Sequence, residues 1–331
     1  MIRFSNPRLG LKSIRTAFLP FLWLVASAAS AQSGGTPIRL LVGFPPGGGT
    51  DTIARVLAEK LGEELGRPVI VDNRAGAGGQ IAAQILKSSP NDGNTLFLSN
   101  DHTISIIPQV IKSPGFDPLK DFVPVAGFAS SVNGLAVPAA TPAKTVAEYV
   151  TWVKLQNGAR NAIGIPAPAS IPEFLVRDIG AKYQLDLQAV PYRGSGPMIL
   201  DMLSNQIPAG IGSVSDFIEY QKASKIRVIA LIGRERQALF PDVQTFGELG
   251  MAGLEDLPYY GFFAPRGTPQ SAIDRFSAAL AKVLNTIAVH DRLVATGLLV
   301  EFMAQSQFAD RVNTYTARWS QKIKASGYQP Q

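Results

Sequence analysis

Residues 37–57 read Pro37-Ile-Arg-Leu-Leu-Val-Gly-Phe-Pro-Pro-Gly-Gly-Gly-Thr-Asp-Thr-Ile-Ala-Arg-Val-Leu57. The apolar run Ile38 to Val42 predicts a strand, which the two following prolines end. Gly47 to Gly49 leave backbone amides uncovered, and Thr50 or Asp51 can cap the helix that follows. Free amides and the positive end of a helix dipole suit an anion. The unit therefore predicts an anion site or, alternatively, only a tight connection between strand and helix.

This glycine turn does not match the common nucleotide-binding loops. A Walker loop would end in Gly-Lys-Ser or Gly-Lys-Thr, and the dinucleotide pattern needs a third glycine where Thr52 and Ile53 stand. A phosphate-bearing cofactor is therefore not indicated, and we expect no cofactor.

The first 31 residues resemble a secretory signal. Four basic residues precede an apolar stretch from Ala17 to Ala29, and no acidic residue lies among them. Ala29-Ser30-Ala31 places small residues where a signal peptidase cleaves. The chain has no cysteine, so neither a disulfide framework nor a lipid-attachment site is available. We expect export to the periplasm with cleavage after Ala31.

Charge argues against a nucleic-acid partner. The chain has 31 basic and 25 acidic residues, and four of the basic ones belong to the signal, so the mature balance is 27 minus 25, or +2. No run of lysine and arginine forms a basic face. We expect no nucleic-acid binding.

Strand, glycine-rich loop and helix alternate along the chain in two series. This alternation predicts two α/β domains, each a mostly parallel sheet flanked by helices, with binding residues at the carboxyl ends of the strands. The apolar segments Val123 to Val137 and Leu257 to Pro265 lie between the series and are interpreted as crossings. Domain 1 is expected at 32–132 and 257–331, and domain 2 at 133–256. Two crossings of this kind favour hinge motion.

Residues typical of catalysis or metal binding are few. His102 and His290 are the only histidines, and His290 is expected to be exposed in a polar connection between helices. Ser195 lies in Gly194-Ser195-Gly196, which resembles half of a nucleophile elbow. A hydroxyl between strand and helix more often caps the helix or binds a ligand. No metal-ligand set is evident, and we expect no metal.

Loops that follow strands supply the candidate ligand contacts, because they offer backbone amides and hydroxyls. Such loops can bind a small carboxylate without a buried lysine. Arg193 could add a positive charge or be a surface residue, and Asp51 could shape its loop or meet an amine. The candidate residues are Gly47, Gly48, Asp51, Asn100, His102, Ala169, Ser170, Ile171, Arg193, Gly194, Ser195 and Ser213.

Six segments together resemble, in order, the motifs of the Bug receptors, the extracytoplasmic solute-binding proteins of tripartite tricarboxylate transporters. The likeness runs from about Thr36 to the C-terminus. The segments are Ile38 to Asp51, Asn73 to Gly79, Asp117 to Val125, Pro191 to Ser195, Pro241 to Thr245 and Ala264 to Pro269.

This resemblance implies a two-domain periplasmic-binding-protein fold of the type II kind, with a ligand cleft that closes between the domains. It implies capture of a small carboxylate, delivery to the membrane components of a tripartite transporter, and action as a monomer. One departure concerns Ala167 to Leu175, where Glu173 replaces the histidine of related chains. We expect this acid to disfavour a second carboxylate and to favour an apolar or amine-bearing ligand.

Two other functions remain open. The closed receptor could dock on a sensor kinase or chemoreceptor, because the ligand site would look the same. A secreted hydrolase would need Ser195 and His102 within hydrogen-bond reach.

Overall fold

The computed structural model describes residues 35–331, and the predicted signal segment 1–31 lies outside them. The strands are β1 Ile38–Val42, β2 Val69–Asn73, β3 Thr95–Asn100, β4 Phe122–Ser130, β5 Asn133–Pro138, β6 Ala162–Ile165, β7 Gln188–Pro191, β8 Ala209–Ser213, β9 Ile226–Leu231, β10 Tyr259–Pro265 and β11 Leu299–Met303. The helices are α1 Gly49–Leu65, α2 Gln80–Lys87, α3 Ile107–Val110, α4 Pro118–Asp121, α5 Val146–Leu155, α6 Ile171–Tyr183, α7 Ser195–Leu203, α8 Val214–Lys222, α9 Gln270–Leu284, α10 Ile287–Ala295 and α11 Gln305–Ala325.

Two sheets organise the described chain. The first has six strands in the order β11-β4-β10-β3-β1-β2, and the second has five in the order β7-β6-β8-β5-β9. β1 runs parallel to β2 and β3, and β6 runs parallel to β7 and β8. The other pairings are antiparallel. The sheets are therefore mixed, and the expectation of mostly parallel sheets is wrong.

The antiparallel pairs arise where the chain passes between the sheets. β4 ends at Ser130 in the first sheet and β5 begins at Asn133 in the second. β10 brings the chain back into the first sheet beside β3 and β4. Arg311 of α11 joins these two connections, donating to Ser130 Oγ at 2.7 Å and to the Leu257 carbonyl at 3.2 Å.

The C-terminal helices pack on the first sheet, as the helical periodicity of residues 269–284 and 307–323 predicts. Phe276 of α9 meets Phe262 of β10 edge-on, with ring centroids 4.9 Å apart, and Phe128 of β4 lies 5.4 Å from Phe262. All three rings are buried. This aromatic contact ties the last third of the chain to the sheet that begins with β1.

Several elements differ from the sequence-based expectations. His290 lies within α10 and not in a connection, although its side chain is exposed as expected. α6 begins at Ile171 and α7 at Ser195, whereas the apolar periodicity predicts starts at Glu173 and Met198. Within residues 35–331, no helix combines the length and the apolar character that crossing a bilayer requires.

Candidate functional site

A cavity of about 490 Å³ lies between the two sheets. Its walls come from the loops that follow β1 and β3 in the first sheet and β6, β7 and β8 in the second. These loops stand at the carboxyl ends of parallel strands, where α/β proteins bind ligands. Four helices, α1, α6, α7 and α8, begin at these loops.

The N-terminus of α1 forms the first-sheet wall. Gly48 is the N-cap and has no side chain to cap the helix, so the expected cap by Thr50 or Asp51 is wrong. Asp51, the third helical residue, instead accepts the Gly47 amide at 2.8 Å, Arg55 Nε at 2.9 Å and Asn73 Nδ2 at 3.0 Å. Burial raises the pKa of Asp51, but these donors, led by Arg55, outweigh it and hold the pKa below its usual value. Asp51 therefore shapes the loop.

The N-terminus of α6 faces it from the second sheet and has a similar design. Glu173 is also a third helical residue, and it accepts the Ala169 amide at 2.6 Å and Arg177 Nη2 at 3.1 Å. Its carboxylate is thus bound to its own loop and helix and does not line the cavity. The effect of Glu173 on ligand charge stays a prediction, and its local pairing with Arg177 argues against a direct one.

The starts of α7 and α8 meet through a short hydrogen bond. Ser195 Oγ donates to Asp216 Oδ2 at 2.5 Å. A Cβ placed on Gly49 of α1 would lie only 2.9 Å from Asp216 Oδ1, so this carboxyl group also reaches the opposite wall. Burial raises the pKa of Asp216 to about 6 against the lowering effect of the Ser195 hydroxyl.

Nine of the twelve candidate residues line the cavity together. They are Gly47, Gly48, Asn100, His102, Ser170, Ile171, Gly194, Ser195 and Ser213. Asp51 and Ala169 are buried behind their loops, and Arg193 is exposed outside the cavity. The interpretation of Arg193 as a surface residue, and not as a ligand charge, is the one that fits this position.

The hydroxyl groups of the site are held by nearby protein atoms. Ser170 Oγ donates to the Ala167 carbonyl at 2.6 Å, and the hydroxyls of Ser213 and Ser215 lie 2.7 Å apart. Among residues 35–331, the amides of Gly49 and Thr50 at the start of α1 have no hydrogen-bond acceptor. These amides are the groups left available to an anion.

Sequence reasoning missed several cavity residues. They are Tyr260, Asn133, Ser131, Ser215 and Asp216. Burial raises the pKa of Tyr260 to about 12, and its hydroxyl lies 3.4 Å from Thr50 Oγ1. The sequence signal for these residues is a polar side chain at the end of β8 or in a crossing segment. Whether such a side chain points into the cavity depends on how the two sheets pack, which the local sequence does not specify.

The cavity carries no basic side chain among the described residues that line it. His102 is held neutral, because burial lowers its pKa to about 4. Its Nδ1 is buried and has no hydrogen-bond partner within residues 35–331. A carboxylate in this cavity would therefore be held mainly by backbone amides and helix dipoles, since Ser170 and Ser195 donate their hydroxyl hydrogens within the protein.

A second cavity of about 830 Å³ lies elsewhere, between α6, α11 and the segment 250–256. Two ion pairs lie in its lining, Lys322 Nζ to Asp178 Oδ2 at 2.9 Å and the contact of Arg318 with Asp256. It lacks the convergence of strand ends that marks the smaller cavity.

Catalytic and metal groupings are not evident in the described part of the chain. Ser195 donates to Asp216 and makes no hydrogen bond to His102. Across residues 35–331, no three acidic, histidine or cysteine side chains are arranged to hold a metal ion.

Comparison with known proteins places this geometry in a family. The sequence matches the family described as tripartite tricarboxylate transporter family receptor over residues 53–328. BugT of Bordetella pertussis (strain Tohama I) is 30% identical over 313 residues, covering 92% of this chain and 93% of BugT.

Solved structures agree with that match. A protein of R. palustris solved with adipate has a TM-score of 0.84 and 28% identity, covering 89% of this chain and 99% of that one. MatC from Rhodopseudomonas palustris with bound malate has a TM-score of 0.78 and 27% identity, covering 86% of this chain and 98% of that one. The two mixed sheets form the two-domain α/β fold of periplasmic binding proteins. The chain belongs to the tripartite tricarboxylate transporter family of receptors.

Proposed function

We propose that this chain is an exported, monomeric receptor that captures a small organic acid between its domains and delivers it to the membrane components of a tripartite transporter. The observation that carries the proposal is the convergence of four helix N-termini on one cavity without a basic side chain in its described lining. Fixed dipoles and amides suit a carboxylate in such a place. The adipate and malate found in the similar structures are acids of this size.

The proposed ligand contacts are the cavity residues named above, with the free amides of Gly49 and Thr50 as the principal anion donors. Gly47 and Gly48 allow the backbone to approach the ligand closely. Ser170 and Ser195 donate their hydroxyl hydrogens within the protein, so their oxygens are offered as acceptors to a donor group of the ligand, and Ser213 lies beside them. A cavity of about 490 Å³ has room for a small acid with its bound water.

Closure is proposed to occur between 32–132 with 257–331 on one side and 133–256 on the other. Strand membership supports this division, because β5 to β9 form the second sheet and the other strands form the first. Arg311 holds both connections together and would fix the axis of the motion. A ligand can drive closure only if it binds the closed form better than the open one.

We also infer that the chain is not an enzyme and that its signal is removed after Ala31. The Ser195 hydroxyl is engaged with Asp216, and not with His102 as the hydrolase alternative requires. Unchanged ester turnover in Ser195→Ala would remove the hydrolase. Mass spectrometry of the periplasmic protein would test the cleavage, and a product that begins at Met1 would contradict it.

A thermal-shift screen of several hundred organic acids tests the receptor function. A ligand that binds only the folded chain raises Tm, because it adds about 2.7 kcal/mol to the free energy of unfolding at a ligand concentration of 100 times Kd. We expect at least one acid of three to eight carbons to give a saturable shift. A flat screen with well-folded protein would contradict the proposal. Neighbouring genes for a membrane transporter would favour uptake, whereas a two-component pair would favour the sensing alternative.

A further inference from the structure

Three of the four helices that begin at the cavity carry an acid as their third residue. These acids are Asp51 in α1, Glu173 in α6 and Asp216 in α8. The first two share one set of partners. Each accepts the amide of the residue before its N-cap and pairs with an arginine four residues later. Their charges are therefore satisfied within their own loops and helices.

Asp216 lacks both of these partners. The residue four positions later is Tyr220, so α8 offers no arginine at that place. Ser195 Oγ is the only hydrogen-bond donor to the Asp216 carboxyl group in the described part of the chain. The carboxyl group turns to the cavity instead and reaches the start of α1, next to Gly49.

The other acids of the cavity have partners. Tyr315 donates to Asp101 Oδ2 at 2.9 Å, and Lys222 Nζ lies 2.8 Å from Glu219 Oε1. Asp101, like Asp216, accepts from a single side-chain hydroxyl, but backbone amides and the charge of Arg311 also stabilise its carboxylate, whereas Asp216 has only Ser195. An enclosed carboxylate is costly without a cation or several donors, and a hydroxyl alone does not offset this cost.

We propose that Asp216 is the counter-ion for a positively charged group on the ligand, so that the solute is a small zwitterion and not a dicarboxylate. This inference rests on the proposed receptor function and names its ligand class. The ligand carboxylate occupies the amide-rich loops, and its ammonium group lies against Asp216 and Ser195. The charged hydrogen bond then replaces the missing internal cation.

This assignment explains why the cavity has no basic side chain. A dicarboxylate would bring two negative charges next to Asp216, without lysine, arginine or protonated histidine in the described lining to offset them. A zwitterion brings one charge of each sign, and both find a complementary group. The acid that selects the ligand is therefore Asp216, and not Glu173.

Calorimetry at pH 7.5 with matched compounds tests the inference. The panel holds α-amino and ω-amino acids of three to six carbons, each with its acid lacking the amine and with the corresponding dicarboxylate. For example, 4-aminobutanoate is compared with butanoate and succinate. We expect an amino acid to bind at least tenfold more tightly than both counterparts, since a hydrogen bond to a charged group is worth this much.

Asp216→Asn keeps the shape of the side chain and removes its charge. We expect this variant to lose at least tenfold in affinity for the amino acid and to bind the acid without the amine as well as before or better. Asp186→Asn makes the same chemical change at an exposed position away from the cavity, and it should leave all affinities unchanged. Melting temperatures without ligand establish that both variants are folded.

The possible results distinguish a failure of the zwitterion assignment from a failure of the proposed receptor function. Tight binding of acids with no gain from the amine, or an amine preference that survives in Asp216→Asn, would overturn the zwitterion assignment and leave the receptor standing. Failure of every compound in this panel and in the wider acid screen would overturn the receptor function, and the assignment with it.

Discussion

The starts of α1 and α6 lie on opposite walls of the cavity. Each holds the loop before the helix with an acid at the third helical position, but the residues in the two loops differ. In α1 the residue before the N-cap is Gly47, at a φ of 79°, and in α6 it is Ala169, at a φ of 51°. Both amides are accepted by the third helical residue, Asp51 or Glu173. The first helix start therefore uses a glycine where a left-handed backbone is needed, whereas the second holds an alanine there at a conformational cost.

This comparison changes the role assigned to Glu173. From sequence, Glu173 is a departure from related chains that places a charge near the ligand. In the structure it does for α6 what Asp51 does for α1, since each binds its own loop and an arginine four residues on. An unusual residue beside a cleft can thus be structural, and an acid that lines the cavity comes from α8.

The largest expected effect concerns the more buried of the two acids. Asp51→Ala removes the acceptor of three hydrogen bonds and leaves the Gly47 amide and Arg55 without it. We expect a loss of about 3 kcal/mol in the free energy of unfolding at pH 7, measured in urea. Because the folded pKa of Asp51 is lowered, its contribution is present above the ordinary pKa of 3.8 and lost as pH falls through the folded value. A loss that is equal at pH 7 and below pH 3 would contradict this account.

Asp216→Asn should have the opposite sign. The folded pKa of Asp216, about 6, lies above its ordinary value of 3.8, so its stabilising proton is fully present below pH 3.8 and is lost as pH rises through 6. An amide in its place avoids the buried charge. We expect the variant to be more stable than the parent chain by about 1 to 2 kcal/mol at pH 7.5 and equally stable near pH 3.5, if both are measured without ligand. Destabilisation at pH 7.5 would mean that the charge already has a partner in the protein.

A pair of exchanges tests the backbone difference directly. Gly47→Ala places a Cβ in open space, so its cost is conformational, and we expect a loss of about 1 kcal/mol. Ala169→Gly should gain about 0.5 to 1 kcal/mol by relieving the left-handed alanine. Urea unfolding measures both values. Changes of the same sign in the two variants would contradict the comparison.

The smallest effect is expected for Glu173→Gln. The amide oxygen can still accept the Ala169 amide, and only the partly exposed pair with Arg177 is lost. We expect a loss of at most about 1 kcal/mol and a change in ligand affinity of less than twofold. A large affinity change by calorimetry would restore Glu173 as a determinant of ligand charge.

Prolines and glycines, which end strands and helices, allowed much of the fold to be predicted from the sequence. The prolines after residue 42 predict the end of a strand over 38–42, and the glycines before residue 80 predict the start of a helix over 80–87. Both ranges match β1 and α2. The neighbouring loops could be named for the same reason. α10 was missed because the polar run His290-Asp291-Arg292 interrupts a short helix, and β11 because most of its short run is partly exposed at an edge of the first sheet.

The site was harder to predict where it depends on contacts between loops. Val214-Ser215-Asp216 reads as an ordinary helix start. Only the packing of β8 beside β6 and β7 brings Asp216 to Ser195, which is 21 residues away in sequence. The sequence could not decide whether Arg193 contacts the ligand or lies at the surface, because the direction of a loop side chain is set by neighbours that the local sequence does not specify.

Closure of the two domains on the ligand is the central claim, and a spin-label distance measures it most directly. The chain has no cysteine, so Ile70→Cys and Leu200→Cys, both at exposed positions, allow labels on β2 and α7 alone. Ile70→Cys with Leu119→Cys places both labels on the first-sheet side as a control. With the acid that gives the largest thermal shift, we predict a shorter and narrower distance for the first pair and no change for the control. An unchanged distance for the first pair at saturating ligand would contradict the account.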